Sequence, residues 1–184
     1  MVTSILALPE ARYFTIPNPR LATEDLDHYG FSLSADTSFL AVGSPRAQAK
    51  GSPSEGGTVH IKALNTTSYD YEEFIHNPNL SGGGRFGHSL AVTTPHVLIG
   101  APDSAVNGTS LAGAAYLFLF SVQGQAPISL TNPNPEGFEN FGTAVALNAS
   151  YSIVSGRGIK WCLRKSKASE MVEEGSEHDE ACEG

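Results

Sequence analysis

The chain has 184 residues, a formal net charge of -8, 16% charged residues, 19 glycines and 11 prolines. This is the composition of a turn-rich globular protein, not a disordered one. Nothing favours nucleic-acid binding, because residues 1–156 hold only six Lys or Arg, all scattered, with no basic stripe to neutralise phosphates. No segment approaches the ~18 to 20 consecutive apolar residues needed to cross a bilayer.

In chain order, the start (Met1 to Glu10) is apolar for a few residues but has no basic region and too short an apolar stretch for a signal peptide. Residues 1–28 form an N-terminal segment in which an apolar strand around Arg12 to Ile16 is closed by Asn18-Pro19. The same device returns at Phe74 to Pro78 and at Ile128 to Pro133; Pro ends a ladder and Asn tolerates turn geometry. The first copy has no earlier strands to pair with, so it is expected to be an orphan outer strand.

A longer unit follows each of these segments. Tyr29-Gly30-Phe31-Ser32-Leu33 leads to Leu40-Ala41-Val42-Gly43-Ser44-Pro45; Phe86-Gly87-His88-Ser89-Leu90 leads to Val97-Leu98-Ile99-Gly100-Ala101-Pro102; Phe141-Gly142-Thr143-Ala144-Val145 leads to Ile153-Val154-Ser155. The heads Gly30, Gly87 and Gly142 lie 57 and then 55 residues apart. A period near this length points to a solenoid, propeller or array. Units 29–85 and 86–140 each hold four strand candidates: Ser32–Ser34, Phe39–Val42, Thr58–Leu64 and Tyr71–His76 in one, Ser89–Val92, His96–Ile99, Ala114–Phe120 and Pro127–Leu130 in the other. Residues 141–156 begin a third repeat. By register Ser155, Gly156 and Arg157 replace Gly-Ala-Pro there, and no third strand is expected beyond them. Residues 157–184, with a basic cluster and then an acidic run, read as a solvated, disordered tail. Both cysteines, Cys162 and Cys182, fall in it, so the repeats carry no redox signal.

The recurring Phe-Gly-x-Ser-Leu-Ala, Val-Leu-Ile-Gly-Ala-Pro and Gly113-Ala114-Ala115-Tyr116-Leu117-Phe118 resemble the FG-GAP repeat, the blade unit of the integrin α-subunit β-propeller and of other extracellular propellers. The likeness covers roughly residues 10 to 154, and its motif positions are Tyr29, Gly30, Gly43, Pro45, Phe86, Gly87, Gly100, Pro102, Phe141 and Gly142. It implies an all-β fold, a partial β-propeller of about two and a half four-stranded antiparallel blades. It also implies a non-enzymatic binding module at the cell surface or outside the cell, membrane-associated and adhesive, taking a protein or glycan ligand on a propeller face. Two other readings are the propeller portion of a secreted phospholipase-type hydrolase whose catalytic domain is absent, and an incomplete product without independent function. Two open blades leave an edge exposed, so self-association is a further expectation.

Several chemical signals dissolve when compared between copies. Gly87-His88-Ser89-Leu90-Ala91 approaches a nucleophile elbow, but that elbow needs a strand turning into a helix, and the third copy puts Ala144 at the serine position. Asp103 to Gly108 approaches a calcium loop, yet position 3 is Ala105 and the equivalent loop after Pro45 has no acid, so no calcium or other cofactor is expected. His28, His60, His76, His88 and His96 lack metal-ligand spacing. Four sequons, at Asn65, Asn79, Asn107 and Asn148, fall in expected loops and mark candidate N-glycosylation sites.

Overall fold

The computed structural model describes residues 16–18, 27–48, 56–64, 72–79, 83–119, 126–165 and 180–183. These residues contain strands and no helix. The first sheet is β1 (Ser32–Ala35), β2 (Phe39–Ser44), β3 (Thr58–Ala63) and β4 (Glu72–His76) in sequential antiparallel order. The second is β5 (Ser89–Thr93), β6 (His96–Ala101), β7 (Ala114–Leu119) and β8 (Ile128–Leu130), paired in the same way. Each falls within a residue or two of the strands read from the repeat. Tyr71 and Phe120, expected at strand ends, lie outside the described residues, as does the expected outer strand at Arg12 to Thr15.

The third sheet corrects the reading of the C-terminal segment. β9 (Ala144–Leu147) and β10 (Tyr151–Gly156) are followed by β11 (Ile159–Lys165) and β12 (Glu180–Glu183), giving the order β9-β10-β11-β12 in backbone pairing. Residues 157–184 are therefore not a tail without strands. Arg157 and Gly158, the latter at φ +82°, form a two-residue turn between Gly156 and Ile159, which face each other. Beyond it the alternation of Ile159, Trp161 and Leu163 has the period of a strand, and the register sets Cys162 opposite Cys182.

The sheets stand side by side with β1 against β5 and β5 against β9, and the described strands do not close into a ring. Two apolar layers fill the gaps. Ala41, Val59, Ile61 and Ile75 of the first sheet meet Phe86, Val97, Ile99 and Tyr116 of the second. On the other side, Leu98, Ala115, Leu117 and Leu130 meet Phe141 and Val154. The second sheet is thus buried on both faces, which is why Val97-Leu98-Ile99 is continuously apolar: successive residues of a strand face opposite ways, and here both ways lead into a core.

A serine bridges each gap. Ser32 Oγ donates to the Gly87 carbonyl at 2.6 Å and Ser89 Oγ donates to the Gly142 carbonyl at 2.8 Å. Each serine faces a glycine across its own sheet, Gly43 or Gly100. A Cβ on Gly100 would lie 2.1 Å from Gly142 O and 2.2 Å from Ser89 Oγ; one on Gly43 would meet Gly87 O and Ser32 Oγ, both at 2.2 Å. The serine of the supposed elbow is therefore a structural donor, and the glycine of Gly-Ala-Pro is the space that lets the next sheet approach. The proline fixes the turn that follows. Ala47 N bonds Ser44 O and Ser104 N bonds Ala101 O, so Pro45 and Pro102 take the second turn position, where φ near -65° is needed.

Candidate functional site

Each repeat opens with a turn built on one plan. The amides of Phe31, His88 and Thr143 bond the carbonyls of His28, Arg85 and Asn140, and Gly30, Gly87 and Gly142 occupy the third turn position at φ +84°, +88° and +92°. The first turn residue is also left-handed in every copy, with φ of 55° at His28, 50° at Arg85 and 51° at Asn140. This brings the residue before each aromatic, and the residue after each glycine, to the same end of the array. Phe86 and Phe141 are fully buried beneath their turns and anchor them.

Between the second and third turns lies a cleft of about 560 Å³. One wall carries Arg85, His88, Pro102 and Asp103, and the other Asn140, Thr143 and the end of β10 with Arg157. Polar contacts fix the walls. Arg85 Nε pairs with Asp103 Oδ2 at 2.8 Å, and Asn140 Nδ2 donates to Pro102 O at 3.1 Å and to Asp103 Oδ1 at 3.4 Å. Thr143 Oγ1 donates to Asn140 O at 2.6 Å, and the Arg157 amide donates to Glu139 O.

The charges of the cleft are unequal. Asp103 is committed to Arg85 and Asn140, whereas among the described residues no carboxylate pairs with Arg157, which is exposed. Burial lowers the pKa of His88, with Arg85 adding to the effect, so the imidazole is neutral near pH 7. Two guanidinium groups against one carboxylate leave a net positive cleft on an acidic protein. Arg157 can donate to an anion, and the ring of His88 gives it a planar wall.

The motif positions come together as heads and turns, with Pro102 alone of the expected set lining the cleft. Arg85, Asn140 and Arg157 were not singled out by sequence. The first two vary in type between copies, although their place just before the aromatic was a usable signal; Arg157 sat in a segment read as solvated. Among the sequons, Asn107 and Asn148 are exposed and Asn79 is half-buried, its Nδ2 donating to Ala105 O at 3.2 Å; Asn65 lies outside the described residues. The loop once compared with a calcium site is a small hairpin, closed by Val106 and Thr109 with Asn107 and Gly108 both left-handed. The two longest loops of the repeats run from Arg46 to Gly57, which lies partly outside the described residues, and from Asp103 to Gly113, which contains this hairpin. No described helix is long and apolar enough to cross a membrane. Comparison with protein-family models and with curated proteins gave no match to this chain.

Proposed function

We propose that the chain is a non-catalytic binding module, a partial β-propeller of FG-GAP type acting outside the cell or at its surface, whose ligand is an acidic side chain of a protein partner. The side-by-side sheets, with their inner strands adjacent and their turns at one end, support the propeller reading. The observation that carries the binding reading is the exposed guanidinium of Arg157 beside the Arg85–Asp103 pair in the cleft. A carboxylate entering there gains charge-assisted hydrogen bonds, each stronger than a neutral one. The exposed sequons at Asn107 and Asn148 support an extracellular, glycosylated protein.

The test is an NMR titration of the folded chain with a hexaglutamate peptide and, as control, hexalysine. Saturable shifts at the amides of Thr143, Gly156 and Arg157 are expected with the acidic peptide only. Arg157→Ala is expected to weaken that binding about tenfold or more, the loss of one charged hydrogen-bonding partner. Failure of the acidic peptide to produce saturable shifts, or equal shifts with hexalysine, would overturn the reading.

A further inference from the structure

The chain has two cysteines, and the backbone register sets Cys162 of β11 directly opposite Cys182 of β12. Directly opposed residues of an antiparallel pair have Cα atoms about 4.5 to 5.5 Å apart. That falls within the range of about 4.4 to 6.8 Å that a disulfide spans, so neither strand has to move for the two residues to be cross-linked.

The register runs across the whole sheet. Val145 pairs with Val154, Val154 with Cys162 and Cys162 with Cys182, so the four make one row on one face. Val154 is buried in the apolar layer shared with the second sheet, and Val145 packs against the same layer. Two positions along, Arg164 stands opposite Glu180. That juxtaposition of opposite charges favours this register over a slip of one residue, which would also turn Cys182 to the other face.

β12 has little else to hold it. It is four residues long, and residues 166–179, which lead into it, are rich in acids (Glu170, Glu173, Glu174, Glu177 and Asp179). Closing that connection costs chain entropy, which four ladder residues offset only in part. A cross-link between positions 162 and 182 removes the same entropy from the unfolded chain.

We propose that Cys162 and Cys182 form a reversible cross-strand disulfide that staples β12 to the edge of the third sheet, with glutathione disulfide as the oxidant. One cysteine thiolate attacks glutathione disulfide, giving a mixed disulfide and one glutathione thiolate. The second cysteine thiolate attacks the sulfur of the first, closing the protein disulfide and expelling the other glutathione. Two protein thiols are oxidised, one glutathione disulfide is reduced to two glutathione thiols, and the two cysteine protons end on those thiols. The inference rests on backbone register and not on the cleft, so disulfide formation and hexaglutamate binding succeed or fail separately.

The test equilibrates the full chain in glutathione buffers of graded redox ratio, traps free thiols with iodoacetamide, and reads the products by intact mass and peptide mapping. A monomer with the Cys162–Cys182 link is expected as the main oxidised product. The folded chain should hold that link at a redox ratio more reducing, by about tenfold or more, than the chain in denaturing urea, because the register raises the effective concentration of one thiol near the other. Arg164→Glu, which sets like charges opposite each other, is expected to lower this advantage by about twofold or more, and adding Glu180→Arg to restore it. Glutathione adducts or intermolecular dimers as the main products, or the same redox midpoint in urea as in the folded chain, would overturn the proposal. So would failure of the second charge change to rescue the first.

Discussion

Single side chains tie the sheets together, and two of them illustrate how. Ser89 Oγ is a hydrogen-bond donor to the carbonyl of Gly142, a buried residue; removing it leaves a buried acceptor without its partner, at a cost of about 1 to 2 kcal/mol. Ser89→Ala is therefore expected to lower the urea midpoint of unfolding, while Ala144→Ser, which has no sheet beyond it to reach, leaves the midpoint unchanged. Asp36, in the β1–β2 turn, makes a second tie: it accepts from the Thr94 amide at 2.7 Å and from the Thr94 hydroxyl, across the gap between sheets. Burial alone would raise its pKa, but the Thr94 hydroxyl and the amides of Ser38, Phe39 and Thr94 outweigh it and hold the value at about 2, below the ordinary 3.8. A depressed carboxylate stabilises the fold fully above its unfolded pKa and loses that contribution as pH falls through its folded one. The stability difference between the parent chain and Asp36→Ala, about 1 kcal/mol after solvent screening, should be constant from pH 7 to pH 5 and shrink between about pH 4 and pH 2. Denaturant titrations at those pH values check this.

At the scale of elements, strands were legible wherever the repeat supplied a second copy to compare. Val97-Leu98-Ile99 announced itself by being apolar on both faces, and Gly43 and Gly100 by recurring at one offset. The junction chemistry was half legible. Ser32, Ser89 and Ala144 were seen to share a position, but an Oγ bonding a carbonyl 55 or 53 residues away depends on how twisted sheets pack, which no local pattern reports. β11 was missed for a different reason: the sudden density of charge around Lys160 and Arg164 outweighed the period-2 alternation of Ile159, Trp161 and Leu163, whose partner β10 was needed to make sense of it. The cleft was illegible because its walls come from two repeats and its key cation from the discounted segment. Turns carry the glycosylation prediction. Asn107 sits at the tip of a hairpin, and Asn148 uses its Oδ1 to accept the amides of Ser150 and Tyr151, leaving Nδ2 outward on an exposed residue. Asn79 must give up its bond to Ala105 to accept a glycan. Glycopeptide mass spectrometry after secretion from an animal cell is expected to find high occupancy at Asn107 and Asn148 and much lower occupancy at Asn79; the reverse order would contradict the placement of these side chains.

For the whole molecule, the three described sheets behave as a short one-dimensional array in which the second sheet packs against both the first and the third. Stability then resides in two junctions, and the proposed binding in one of them, since the cleft exists only while the second and third sheets are held together. The most direct test exploits this. Gly43→Ala places a Cβ against the Gly87 carbonyl and pries open the first junction; Gly100→Ala does the same to the second, against the Gly142 carbonyl. The measurement is the affinity of each variant for hexaglutamate by fluorescence anisotropy. Binding close to that of the parent chain in Gly43→Ala, and at least tenfold weaker in Gly100→Ala, is the predicted result. Equal affinities in the two variants, or loss in Gly43→Ala with retention in Gly100→Ala, would contradict the account.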